Sequence, residues 1–211
     1  VDFAVLSHAH YDHANGMGKF FEINEKAPFY LQEGCGENCY FKKGFIRKYI
    51  GIPKGITKKY QDRIKYVSGV YTVADGIYLV SHSTPHLEQI GKKEMMYQKT
   101  KLGWKPDNFC HEQSLVLDTD GGLVIFNSCS HGGVVNIINE VKAAFPNKKI
   151  TALIGGFHIF KHPEAEIREL AKLIQETGIE RIYTGHCSKE RGYRILREEL
   201  GDMAGQFYVG M

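Results

Sequence analysis

Near its beginning the chain carries the stretch SHAHYDHANG, which places three histidines and an aspartate within six positions. These residues are His8, His10, Asp12 and His13. Neutral imidazole and carboxylate groups are ligands for Zn²⁺ and for non-haem iron or manganese. Water bound to such a metal becomes hydroxide near neutral pH, so ions held here would supply a nucleophile. The spacing therefore predicts a metal centre, which an isolated His-x-His pair would indicate only weakly.

The segment before the motif, FAVLS, is apolar and predicts a short buried strand that runs straight into His8. Alternate side chains of an extended segment share a face, so we expect His8, His10 and Asp12 to point the same way. A turn near Asn15-Gly16 would then let the end of the motif face a neighbouring position.

Three more histidines follow predicted strands in the second half of the chain. The strands GLVIFN, TALIGG and RIYTG run to His131, His158 and His186. Ligands of α/β sheets bind beyond the carboxyl ends of the strands, where the loops converge. We therefore expect four strand ends, including the one before His8, to bring histidines to one edge of one sheet.

The elements that must position these residues predict an α/β layered domain. After SLVLDT and the hairpin turn Asp120-Gly121-Gly122, strands alternate with the helices GVVNIINEVKAAF, PEAEIRELAKLIQETG and KERGYRILREELG. Pro163 near the start of the second helix and Gly178 at its end are typical start and stop signals. A last strand is predicted at GQFYVG.

The first half of the chain gives weaker signals. PFYLQ and GIYLVS predict strands, and a helix after Asn15 would bury an apolar face. Residues 35–63 and 84–113 show poor periodicity and frequent breakers, so we expect irregular structure there. The apolar face of the early helix consists of Met17, Phe20, Phe21 and Ile23.

Composition limits the class of protein. The chain has 211 residues and a net charge of +3, which gives no indication of nucleic acid but would not repel an anionic small molecule. No apolar run approaches the length of about 20 residues that a membrane helix needs, and the start does not resemble a signal peptide. Five cysteines without a secretory marker favour reduced thiols in a cytoplasmic protein. Cys35 and Cys39 could form half of a metal or redox site, but without a second pair they are expected to be unrelated thiols.

HAHYDH resembles the His-x-His-x-Asp-His motif of the metallo-β-lactamase superfamily, a four-layer αβ/βα sandwich of hydrolases and related enzymes. NSCSHGGVVNI, GGFHIF and TGHCS resemble one branch, the proteins similar to 7,8-dihydropterin-6-yl-methyl-4-(β-D-ribofuranosyl)aminobenzene 5′-phosphate synthase. The resemblance implies a single metallo-β-lactamase-like domain over residues 1–211. Superfamily members have several strands before the motif, so we expect this domain to lack its N-terminal strands, with a naturally shortened variant as the alternative.

The resemblance also implies a dinuclear site with two divalent ions, Zn²⁺ first and iron or manganese as alternatives. Carried over residue by residue, the ligands of one ion would be His8, His10 and His131. Those of the other would be Asp12, His13 and His186. Many members place a bridging aspartate after the strand that here is TALIGG, but this strand runs into Phe157-His158.

Asp12 and His158 are the predicted catalytic residues. Asp12 would hold a metal and orient water, whereas His158 would ligate a metal, contact substrate or donate a proton. Cys129 and Cys187 are expected to be small packing residues beside the site. The remaining histidines are expected at the surface or in hydrogen bonds, with a place in the pocket as the alternative for His86 and His111: His82, His86, His111 and His162.

The predicted function is that of a metal-dependent hydrolase acting on an ester, a phosphoester or a related small molecule. The resemblance suggests a phosphorylated or pterin-like substrate. A di-iron oxidoreductase of the same fold and a non-catalytic metal-binding module are the alternatives. We expect neither a nucleic acid nor a membrane as a partner. The basic, aromatic segment 42–49 would either cover an anionic substrate or form a solvated face.

Overall fold

The computed structural model describes residues 1–208 and combines sheets with helices, which confirms the mixed α/β class. The chain forms two compact units. The first comprises Val1–Gly69 and Ser81–Gln113, and the second comprises Val70–Val80 and the residues from Ser114 onward. Among the helices of residues 1–208, none is both long enough and apolar enough to cross a membrane.

The strands within this range are β1 (Ala4–Val5), β2 (Phe29–Gln32), β3 (Cys39–Lys43), β4 (Ile46–Tyr49), β5 (Ile64–Val67), β6 (Val70–Ala74), β7 (Ile77–Ser81), β8 (Met96–Thr100), β9 (Gly103–Pro106), β10 (Gln113–Thr119), β11 (Gly122–Phe126), β12 (Ile150–Gly155), β13 (Arg181–Thr184) and β14 (Ala204–Gln206). The helices are α1 (Tyr11–Ala14), α2 (Met17–Ile23), α3 (Ile56–Lys59), α4 (Glu88–Lys93), α5 (Val134–Ala144), α6 (Glu164–Glu176) and α7 (Lys189–Leu200). Short 3₁₀ turns cover His186–Ser188 and Gly201–Met203.

The first unit contains a three-stranded parallel sheet in the order β1-β2-β5. Its core includes Leu6, Leu31 and Ile52, all of them fully buried. Helix α2 follows the motif as predicted and buries Met17, but Ile23 is exposed. The predicted apolar face is therefore correct except at Ile23: Phe21 is buried and Phe20 packs against the core, but Ile23 is the last helical residue and faces solvent.

The first unit also contains a four-stranded antiparallel sheet in the order β4-β3-β8-β9. The expectation of irregular structure over residues 35–63 and 84–113 is wrong, because each range contains two strands of this sheet and one helix. These strands do not show a simple alternation of polar and apolar residues in the sequence, because lysine and arginine side chains cover aromatic rings on them. Lys42 lies over the ring of Tyr97 and Arg47 over that of Trp104, with distances to the ring centres of 5.1 and 5.3 Å.

The second unit is built on a seven-stranded sheet in the order β14-β13-β12-β11-β10-β7-β6. The predicted hairpin between β10 and β11 is present, with Thr119 opposite Gly122. Helix α6 begins after Pro163, and Gly178 follows it with φ of +73°, as the start and stop signals predict. The sheet and helices enclose one core that includes Val116, Ile125, Ile137, Leu153, Ile167, Ile174 and Ile182.

Strands β11, β12, β13 and β14 are parallel neighbours, so their carboxyl ends lie along one edge of this sheet. Strand β1, which precedes His8, belongs to the three-stranded sheet of the first unit. The expectation that four strand ends meet on one sheet is therefore wrong for the first of them, since β1 pairs with β2 instead. Of the last predicted strand, Gly205 and Gln206 lie in β14, and Val209 and Gly210 lie outside the described residues.

Candidate metal centre

The histidine motif lies where an extended segment changes into a helix. His10 is still extended, with φ of −98° and ψ of 147°, and α1 begins at the next residue. The turn therefore comes earlier than the expected position at Asn15-Gly16, because the amide of Ala14 already donates to the carbonyl of His10. Asp12 consequently lies on the helix. The expectation that it shares one face of an extended segment with His8 and His10 is therefore wrong.

The three histidine rings of the motif lie close together. The ring of His8 is 4.8 Å from that of His10 and 4.4 Å from that of His13, measured between ring centres. His8 and His10 are buried, and His13 is half-buried. The hydroxyl of Ser7 lies 3.1 Å from Nδ1 of His8. A histidine held in this way binds a metal through its other nitrogen, Nε2.

Asp12 is partly exposed and pairs with the next residue along α1. Its Oδ2 lies 3.4 Å from Nε2 of His13. The hydrogen bond from His13 lowers the pKa of Asp12 to about 2, while partial burial opposes this shift. The carboxyl group is therefore an anion at neutral pH, as a metal ligand must be.

In the second unit, His131, His158 and His186 follow β11, β12 and β13. The rings of His131 and His158 lie 4.6 Å apart between centres, and His186 is exposed. The φ values of His158 and His186 are +52° and +49°, in the left-handed region that residues other than glycine seldom adopt. Such conformations concentrate at functional sites, where surrounding contacts must hold them.

Short polar side chains fix these loops. Oδ1 of Asn127 accepts hydrogen bonds from the amide of Ser130 at 2.8 Å and from its hydroxyl at 3.1 Å. Nδ2 of Asn127 donates to the hydroxyl of Ser114 at 2.8 Å. The hydroxyl of Ser188 accepts the amide of Phe157 at 2.9 Å and lies 2.6 Å from the hydroxyl of Thr184. The segments that carry the three histidines are therefore held by buried hydrogen bonds.

Cys129 and Cys187 are buried, as expected for packing residues, but with His158 they also form a cluster of donors. The ligand atoms of the three lie within 4.8 Å of one another. The amide of His158 donates to Sγ of Cys187 at 3.2 Å. The hydrogen bond from Cys129 lowers the pKa of Cys187 to about 5, with burial opposing and His158 assisting. Thiolate is a ligand for zinc and other soft ions.

A second polar cluster, which the sequence did not reveal, lies beside His10 in the first unit. It contains Cys39, Asp107 and His111, all of them buried. Burial opposes ionisation of Asp107, yet His111 and His10 hold the pKa of this carboxyl well below its ordinary value. Burial also raises the pKa of Cys39, which was expected to be an unrelated thiol. No recognisable spacing marks this cluster, because Cys39 lies far along the chain from Asp107 and His111.

The remaining histidines lie in different surroundings. His111 is the hydrogen-bonded residue that was expected, although it is fully buried. His86 is exposed with Nδ1 3.7 Å from Glu88, and Nδ1 of His162 lies 3.3 Å from Glu166. His82 is buried.

Within each unit the residues present fit a divalent metal ion. The first unit offers three neighbouring imidazoles and an ionised carboxylate, and the second offers imidazoles with thiolate beside them. These are the nitrogen, oxygen and sulfur donors that zinc and iron prefer. The donor chemistry agrees with the metal-binding character that the motif predicts.

Comparisons with known proteins agree with this chemistry. The family described as the metallo-beta-lactamase superfamily matches residues 1–92. A 7,8-dihydropterin-6-methyl-4-(beta-D-ribofuranosyl)-aminobenzene-5′-phosphate synthase from Methanocaldococcus jannaschii is 26% identical over 227 residues, covering 100% of this chain and 74% of that protein. An uncharacterized protein from the same organism is 26% identical over 164 residues, covering 75% of this chain and 58% of that protein.

Among solved structures, a metal-dependent hydrolase of the beta-lactamase superfamily is similar to this chain with a TM-score of 0.81 and 25% identity. The match covers 98% of this chain and 77% of that one. The resemblance to the metallo-β-lactamase superfamily and to its synthase-like branch is therefore confirmed, and so is the predicted fold class.

Proposed function

We propose that this chain, with the fold of metal-dependent hydrolases of the metallo-β-lactamase superfamily, is a hydrolase with a dinuclear metal site. Its substrate would be an ester, a phosphoester or a related small molecule. The observation that carries the proposal is the arrangement of the motif in the first unit. The rings of His8, His10 and His13 lie side by side there, next to a carboxylate that is ionised at neutral pH.

The ligand sets are those that match the family motif. His8, His10 and His131 would hold one ion, and Asp12, His13 and His186 the other. When bound, the two ions, Zn²⁺ in the first instance, would activate water and polarise the bond under attack.

The chain's own residues would orient the attacking water and protonate the leaving group. Asp12 is ionised at neutral pH, so it would hold its ion and accept a hydrogen bond from the attacking water. His158 follows β12, where many superfamily members have an aspartate. Its imidazole would contact the substrate or donate a proton to the leaving group. Its left-handed backbone and the bond from its amide to Cys187 would keep the ring in place.

A second candidate is a synthase reaction in which the attacked group passes to a second substrate and not to water. The relative from Methanocaldococcus jannaschii favours it, since that protein is named as a synthase of a pterin-linked, phosphorylated product. Helix α5 begins three residues after His131, and the free N–H groups of a first helical turn favour an anion such as phosphate. A phosphorylated, pterin-like substrate is therefore the first class to test in either reaction.

The test is turnover of generic phosphoesters and thioesters, with and without a second acceptor molecule. We expect activity that disappears on exhaustive chelation and returns with Zn²⁺, Mn²⁺ or Fe²⁺. His10→Ala should abolish it, and His162→Ala, which alters a histidine far along the chain from the motif, should not. Turnover that survives both chelation and His10→Ala would overturn the proposal. Turnover only with the second acceptor would favour the synthase.

A further inference from the structure

Asp107 is a fully buried carboxylate that the proposed ligand set does not use. It follows β9 in the first unit. Its Oδ1 accepts hydrogen bonds from Nε2 of Gln98 at 2.8 Å and from the amide of Phe109 at 2.9 Å. Its Oδ2 lies 3.2 Å from Nε2 of His111. A buried carboxylate with this many donors is held in one orientation.

His111 connects Asp107 to the backbone of the histidine motif. The amide of Ala9 donates to Nδ1 of His111 at 3.2 Å, over a sequence separation of 102 residues. Nδ1 is therefore the acceptor nitrogen of this ring, and the proton lies on Nε2, which donates it to Asp107. Ala9 lies between His8 and His10, so the cluster is tied to the motif itself.

His10 is the motif side chain that faces this cluster. Its Nε2 lies 3.9 Å from Oδ2 of Asp107, and its ring packs edge-on against that of His111 at 5.2 Å between centres. A carboxylate only accepts hydrogen bonds, so Asp107 favours the form of His10 that carries its proton on Nε2. Metal binding then falls to Nδ1 of His10, in the way that carboxylates behind metal-bound histidines select one nitrogen.

A glycine holds the Asp107 backbone in place. Gly91 of helix α4 is buried, and a Cβ added there would lie 2.8 Å from the amide nitrogen of Asp107 and 2.9 Å from its carbonyl carbon. Real side chains are not found at such distances, so only glycine permits this approach. The backbone of Asp107 thus packs closely against helix α4, and its carboxylate is oriented by its hydrogen bonds.

We propose that Asp107 is a positioning residue that orients His10 for metal binding, with His111 and Gln98 holding Asp107 in turn. The inference rests on the proposed function, because it takes His10 to be a metal ligand. It differs from a reading in which Cys39, Asp107 and His111 bind a metal themselves. His111 could serve as a ligand through Nε2 only by losing the proton that it donates to Asp107, while Nδ1 still accepts the amide of Ala9.

The test is a double-mutant cycle on metal affinity, measured by competition of the metal-free protein with a chromophoric chelator for Zn²⁺. Asp107→Asn keeps the shape of the side chain but places an amide donor where an acceptor is needed. We expect it to lower affinity by about 10- to 100-fold. In the His10→Ala background the same change should have almost no further effect, because the ligand that Asp107 orients is gone.

Cys39→Ala is the matched control, since it removes the thiol of the same buried cluster and leaves the carboxylate of Asp107 in place. Its Zn²⁺ affinity should equal that of the wild type, and a loss of bound metal would overturn the proposal in favour of a metal held by the cluster itself. Thermal unfolding of the metal-free Asp107→Asn protein shows whether it is folded. If it is not, Gln98→Ala, which removes one of the two hydrogen bonds to Oδ1 of Asp107, should give a smaller loss of affinity that again depends on His10.

The remaining outcomes separate this inference from the proposed function. Unchanged Zn²⁺ affinity in Asp107→Asn, with a loss in His10→Ala, would overturn the positioning role and leave the proposed function standing. An equal loss from Asp107→Asn with and without His10 would also overturn it, because Asp107 would then act by another route. Unchanged affinity in His10→Ala would remove the metal role of His10 and the positioning role together.

Discussion

Gly156→Ala should disturb the three histidine-bearing loops of the second unit. A Cβ at position 156 would lie 2.6 Å from Sγ of Cys187 and 2.9 Å from the carbonyl oxygen of Ser128. Nonbonded heavy atoms of this kind settle at about 3.5–4.0 Å, so the loops would have to separate by roughly 1 Å. The atoms concerned belong to the segments that carry His131, His158 and His186.

Both stability and metal binding should fall. Overpacking of this kind costs about 1–3 kcal/mol in free energy of unfolding. For a chain of this size each kcal/mol corresponds to roughly 2–4 °C, so the melting temperature of the metal-free protein should drop by roughly 2–12 °C. Displacement of ligand-bearing loops should lower Zn²⁺ affinity by about 10- to 100-fold, as loss of supporting contacts does in other metal sites.

Thermal unfolding followed by circular dichroism, with chelator present, measures the first effect, and competition with a chelator measures the second. Gly121→Ala is the control in the same unit, because its new Cβ would meet only Oγ1 of Thr119 at an ordinary 3.7 Å. If Gly156→Ala had the same melting temperature and the same Zn²⁺ affinity as Gly121→Ala, the close packing of these loops would contribute to neither, and the reasoning would be refuted.

Three further changes test separate parts of the account. In the metal-free protein the thiol of Cys187 should titrate with a midpoint at pH about 5, measured by the ultraviolet absorbance of its thiolate with Cys187→Ser as the reference. The stabilising contribution of this thiolate is complete above the ordinary pKa of 9.0 and is lost as the pH falls through 5. A midpoint near pH 9 would contradict the hydrogen bonding described. Asp12→Asn should lower the number of bound metal ions without a large change in melting temperature, since this side chain is partly exposed; a full complement of metal by elemental analysis would refute its role as a ligand. Leu153→Ala should lower the free energy of unfolding, measured with urea, by about 2–5 kcal/mol, because Leu153 is fully buried in the core of the second unit. A loss no larger than that of a substitution at an exposed site would contradict this packing.

The second half of the chain could be predicted in detail from the sequence. Strands β11, β12 and β13 are apolar runs, and α6 carries Ile167, Ala171 and Ile174 on one face between Pro163 and Gly178. Local signals and long-range packing agree there. The histidines at the strand ends could therefore be placed on one edge of a sheet before the structure was known.

The first half could be predicted less well, because its order depends on contacts between distant segments. The four-stranded sheet has basic side chains over aromatic rings, such as Lys42 over Tyr97, so its strands show no simple alternation. Asp107 gives no signal at all, since His10, the motif residue that it faces, becomes its neighbour only through the fold. A buried carboxylate of this kind can be recognised only when its donors are seen.

The most direct test of the central claim is elemental analysis of the purified protein against protein concentration, after loading with Zn²⁺ and removal of excess metal. The account predicts about two metal equivalents per chain, in line with a dinuclear site. It also predicts fewer in His10→Ala and an unchanged number in His162→Ala. A wild-type protein that retains no metal after loading would contradict the metal centre and the catalysis proposed to depend on it.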